Sequence, residues 1–162
     1  MIYTAISMCA VALAVLAGNP VTFTGLGEKE SPHAAMMMKC ATTCSACAVE
    51  CDGCFHHCAS MVSDGKKEHA TCMHCCVDCA ECCRLCSTLC GRESAYSAHA
   101  AECCAKCCED CAAACEKMKD DKQMAACAKS CRNCAAECRD MAKMPRSDLR
   151  CCRFHGQRIL LF

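Results

Sequence analysis

The chain has 162 residues, 18 basic and 18 acidic side chains for a formal net charge of zero, and 27 cysteines. That length suggests one domain, and the balanced charge gives no argument for nucleic acid or an anionic membrane surface as a partner. A cysteine content this high excludes an ordinary globular composition and marks a special scaffold.

In chain order, Ile2 to Ala17 is an uncharged apolar run ending in the small-residue stretch Val15-Leu16-Ala17. It fits the apolar region of a signal peptide over residues 1–17, so an exported, periplasmic protein is expected. No basic residue precedes the run, so a membrane anchor and a cytoplasmic location stay open as alternatives. Gly18 to Pro32 has Gly, Pro and charges without a period and reads as a linker.

The spacing predicts a first helix from about His33 to Val62, capped by Ser31 with Pro32 at its first position. Ser63-Asp64-Gly65-Lys66-Lys67 is the first turn. A second helix runs from about Lys67 to Cys90 and stops at Gly91. The third spans about Ser94 to Lys119. Asp120 or Asp121 caps the fourth, which ends before Pro145. Short connections make neighbouring helices antiparallel, so residues 33–144 are expected to form an all-α, up-down-up-down four-helix bundle with a Cys-lined core. The tail, 145–162, is basic, carries adjacent Cys151 and Cys152, and reads as disordered.

Each predicted helix carries a thiol stripe. Cys40, Cys44, Cys47, Cys51, Cys54 and Cys58 step by 4, 3, 4, 3, 4, and so do Cys72, Cys76, Cys79, Cys83, Cys86 and Cys90. Cys104, Cys108, Cys111, Cys115 and Cys127, Cys131, Cys134, Cys138 step by 4, 3, 4. Such steps keep one helix face toward a partner. Cys75, Cys82, Cys103 and Cys107 are expected to widen the sulfur face of the second and third helices.

Ordinary core formers are scarce. Between Cys40 and Met144 the larger apolar residues other than Cys and Met are Val49, Phe55, Val62, Val77, Leu85, Leu89 and Tyr96. Burying one is worth roughly 1.5–3 kcal/mol, while ordering each residue costs about 1–2 kcal/mol. Either sulfur and alanine form a weak core, or metal bound to the sulfur supplies the rest, because its binding energy becomes folding energy.

Other uses of the thiols fit less well. Core packing does not require a thiol at every stripe position. Thiols four apart on a straight helix are poorly directed for disulfides, and the cysteine count is odd. Cys76, Cys79, Cys82 and Cys86 match an iron–sulfur spacing, but Ser87 stands where ferredoxins have Pro, and a helical period runs through the match. A bank of metal thiolates remains. With 24 thiolates, six Zn(II) ions at four thiolates each leave a net charge of minus 12, which burial penalises heavily. One Cu(I) per thiolate leaves the core neutral, and Cu(I) prefers soft ligands. Soft donors also gather at the bundle ends. His33, Met36, Met37, Met38, His99, Met141 and Met144 fall at one end and are expected to form an uptake mouth. Met61, His69, Met118 and Met124 fall at the other.

The repeated Cys-x3-Cys pairs, such as Cys40/Cys44, Cys72/Cys76, Cys104/Cys108 and Cys134/Cys138, resemble those of the bacterial four-helix-bundle copper storage proteins over about His33 to Met144. The resemblance implies many Cu(I) ions held along the core by paired thiolates, a Met or His mouth, and often a homotetramer. It implies storage or detoxification rather than catalysis, with supply to a copper-requiring enzyme or chaperone. Exported members carry a twin-arginine signal, and no such pair stands near the start of this chain. The rivals are a metallothionein-like Zn(II) or Cd(II) buffer, against which the lack of any Cys-x-Cys pair counts, and a disulfide-bonded secreted structural protein.

Overall fold

The computed structural model describes residues 31–144. The expected signal peptide, the linker up to residue 30 and the tail lie outside the described residues. Four helices form: α1 Pro32–Ser63, α2 Ala70–Gly91, α3 Ser97–Cys115 and α4 Lys122–Ala142. The Ser31 side chain accepts from the Ala34 N–H, with Pro32 in the first turn. Gly65, at φ 88°, turns the chain after α1, a conformation that costs a glycine little. Lys67–His69 then tighten into one 3₁₀ turn before α2. That turn is why α2 starts at Ala70, three residues after the expected Lys67. Helix α3 runs from Ser97 to Cys115, inside its expected bounds, because the chain already turns at Glu116–Asp121. Asp121 caps α4 by accepting from the N–H groups of Gln123 and Met124.

Each helix packs on its sequence neighbours, and α1 closes the ring against α4. This is the antiparallel bundle expected of short connections. No helix among the described residues is long and apolar enough to cross a membrane.

The core consists of Cys, Ala and Met. All twenty stripe cysteines are buried, none more than 1% exposed. Alanines flank them, Ala101 and Ala112 being fully buried. A residue that short beside each stripe lets the backbones approach, so thiols on facing helices touch across the axis. Of the seven larger apolar residues, only half-buried Leu89 packs against the core. Val49 is 72% exposed and Tyr96 70%, and Phe55, Val77 and Leu85 are also exposed. They stand off the stripe, where the helical period turns them outward. Ion pairs close the outer edges instead: Arg84 with Asp52 between α2 and α1, Lys39 with Glu137 between α1 and α4, and Arg139 with Glu109 between α4 and α3.

Candidate metal centre

The stripe thiols meet in a continuous column. Between α1 and α4, Cys44 Sγ lies 3.4 Å from Cys138 and Cys51 Sγ 3.6 Å from Cys131. Between α2 and α3, Cys79 is 3.5 Å from Cys108 and Cys83 is 3.6 Å from Cys104. Contacts also cross the diagonals, Cys44 to Cys104 at 4.0 Å and Cys83 to Cys134 at 3.9 Å. Every cysteine among the described residues is a free thiol.

Several sets of four buried thiols have all their sulfurs within 4.8 Å of one another, among them Cys40, Cys44, Cys86, Cys138 and Cys51, Cys111, Cys127, Cys131. A metal with bonds of about 2.3 Å holds tetrahedral sulfurs about 3.8 Å apart and linear ones about 4.6 Å apart. The observed spacings admit both, so distance alone does not select the ion. Sharing is built in: Cys44, Cys47, Cys51 and Cys131 each belong to two such sets. Isolated mononuclear sites would compete for those sulfurs, whereas a cluster with bridging thiolates uses them twice.

Burial pushes the Cys58 thiol up, and negative charge on Cys72 and Cys54 adds to it. The Cys76 thiol is raised by its hydrogen bond with Cys111 and by burial. Cys54 is the opposite case: the hydrogen bond from Cys115 favours its thiolate and draws it down to about 4. The metal-free column thus holds protons at many sulfurs, and metal must displace them. Uptake releases protons, and acid competes with it.

The four cysteines expected to widen this face lie at its edge rather than in the column, with Cys75 and Cys82 packed against the core. Cys75, Cys82 and Cys107 are only partly buried and Cys103 is exposed. Each adjoins or neighbours an inward thiol (Cys76, Cys83, Cys104 or Cys108), and consecutive residues on a helix point about 100° apart. Only one of each Cys-Cys pair can face the axis.

At the first end, Met37 and Met141 are fully buried. His33 and Met144 are half-buried, with Met144 packed on the core. Met36, Met38 and His99 are exposed and turn away from the column. The opposite end is at least as well furnished. Met124 is fully buried, its Sδ 3.6 Å from both Cys54 and Cys58. His69 is buried and neither ring nitrogen has a hydrogen-bond partner, although Nε2 lies 3.7 Å from Asp121 Oδ2. His57 Nε2 meets the same Asp121 oxygen at 2.6 Å, and Met61 and Met118 are half-buried beside them.

One rule sorts most of these residues. Continuing each 4, 3, 4 comb by its own alternation reaches His33, Met37 and Met61 from α1 and His69 from α2. It reaches Ser97 and Met118 from α3 and Met124 and Met141 from α4. All of these are buried or half-buried. Met36, Met38 and His99 are off the comb. Phase thus accounts for these donors, Met144 excepted, which is off the comb yet packed on the core.

Compared with known proteins, the chain matches a family model described as copper storage protein over residues 33–143. A search of curated proteins found no match.

Proposed function

Since the chain belongs to the copper storage protein family, we propose that it stores many Cu(I) ions as thiolate complexes along the bundle axis. The observation that carries this reading is the unbroken column of twenty buried free thiols. Charge selects the ion. Twenty buried thiolates with five divalent ions would keep ten uncompensated negative charges in a dry core, which is strongly unfavourable. With monovalent Cu(I) at one per thiolate the column is neutral. Cu(I) also accepts two or three sulfurs and prefers thiolate and thioether. Copper held this way is kept from redox cycling and remains available for supply to a copper-requiring enzyme or chaperone.

The buried thioethers Met37, Met141 and Met124 are weaker ligands than thiolate and stand where ions would join or leave the column. The apolar run Ile2–Ala17 supports export of the protein. A homotetramer is the assembly we propose from the family resemblance.

Anaerobic titration of reduced protein with Cu(I), against a coloured competing chelator, tests the reading. Uptake near one ion per core thiol, tighter than the chelator, is the expected result. Uptake of a few ions only, with Zn(II) bound equally well, would replace the copper store by a general thiolate buffer.

A further inference from the structure

Three of the four helix seams are closed on the outside by ion pairs, as described for Arg84, Lys39 and Arg139. Among the described residues no ion pair joins α2 to α3. That seam carries thiols instead. Cys82 Sγ on α2 lies 3.2 Å from Cys107 Sγ on α3. Cys103 is one turn before Cys107 on α3, on the same face. Cys75 is two turns before Cys82, about 10 Å along the helix, and does not belong to the group.

We propose that Cys82, Cys103 and Cys107 form a separate, solvent-facing Cu(I) site on the α2–α3 seam, outside the core store. The choice of ion rests on the copper reading above; the place rests on the seam itself. Two side chains of neutral thiol give a seam no Coulombic closure, whereas one cation bound between them links the two helices as ion pairs link the others. Three thiolates around a metal with bonds of about 2.3 Å sit about 4 Å apart, so Cys82 and Cys107 need to part by less than about 1 Å. A small rotation of either side chain, both only partly buried, allows that. The inner level of the same helices is occupied by Cys83, Cys104 and Cys108, which touch one another in the column. The outer trio has no thiol of the column as a partner at 4.0 Å or less, so it is not an extension of the store. Its ion is open to solvent on the Cys103 side and would exchange with outside ligands faster than ions in the column.

The test uses the full chain, reduced and anaerobic, as wild type and as the combined Cys82→Ser, Cys103→Ser, Cys107→Ser variant. Loaded wild type is mixed with excess Cu(I) chelator and followed in time. The expected result is a fast phase of about one copper per chain in wild type, absent in the variant, with the slow phase unchanged in both. In parallel, alkylation of wild type, metal-free and fully loaded with Cu(I), read by peptide mass spectrometry, should show copper protecting these three thiols. Equal release phases in the two proteins, with no protection, would overturn the site. Protection by Zn(II) and not by Cu(I) would overturn the choice of ion, and a Cys82–Cys107 disulfide that persists in reduced protein would overturn metal binding there. If the variant fails to fold, the alkylation of wild type decides alone. Loss of the slow phase in wild type would instead count against the core store, so the two failures are distinct.

Discussion

At the scale of the residue, cysteine here replaces the branched aliphatics of an ordinary core. Each thiol is small, apolar when protonated and a strong ligand when not. Cys44 is a well-connected example, with Cys138 at 3.4 Å, Cys134 at 3.6 Å, and Cys40 and Cys104 at 4.0 Å. Cys44→Ala should lower copper capacity by about one or two ions, because two four-thiol groups share this sulfur. It should cost the metal-free protein only about 1 kcal/mol, the loss of one small buried group. Titration and melting of the same sample check both halves. A large loss of metal-free stability with full capacity would mean that Cys44 is a packing residue. The stripe was legible in the sequence at this scale, because a 4, 3, 4 spacing of one residue type has a single geometric meaning. The Cys-Cys pairs were not. Composition alone cannot say which of two adjacent thiols faces inward, and the period that answers it for Cys76, Cys83, Cys104 and Cys108 leaves their neighbours on the seam.

The element scale turns on helix ends. Asp121 caps α4, accepts from His57, and lies beside His69. Burial opposes its charge, but the His57 hydrogen bond and the Met124 N–H outweigh that and hold the carboxyl below its usual range. A carboxyl lowered by folding stabilises the protein above its ordinary pKa, and the contribution is lost as pH falls through the folded value. Asp121→Ala should therefore cost about 1 kcal/mol near neutral pH. Its difference from wild type should shrink below about pH 4. Urea unfolding at the two pH values checks this, and a difference independent of pH would show that the charge of Asp121 plays no part. Cap residues gave the starts of α1 and α4 from sequence, since Ser31 and Asp121 each supply an acceptor. The start of α2 and the end of α3 were less legible. Neither carries a Pro, and the choice between a 3₁₀ turn and continued helix at Lys67–His69 is decided by the closing of the turn onto α1. The mouths followed the same logic: Met37, Met141, Met124 and His69 are on the combs, while Met36, Met38 and His99 are near the ends but out of phase.

For the whole molecule, the composition leaves one open question of stability. Val49, Phe55, Val77, Leu85 and Tyr96 lie on the surface, so the interior has even less aliphatic surface than the sequence suggested. Metal bound to the native column and not to the unfolded chain adds its binding energy to folding. One ion at a thousandfold its dissociation constant contributes about 4 kcal/mol. For a bundle of this size that is a rise in melting temperature of more than about 15 °C. Calorimetry of metal-free and Cu(I)-loaded protein should show at least that shift, growing with the number of ions. Equal melting temperatures would mean that sulfur and alanine make a sufficient core unaided.

The most direct test of the central claim is crystallographic: the loaded protein, prepared anaerobically, measured on both sides of the copper absorption edge. The expected result is a string of anomalous peaks along the bundle axis, each bonded to two or three sulfurs from facing helices, between the Met37/Met141 end and the Met124 end. Copper confined to the surface, or an axis crossed by disulfides with no anomalous peaks, would contradict it.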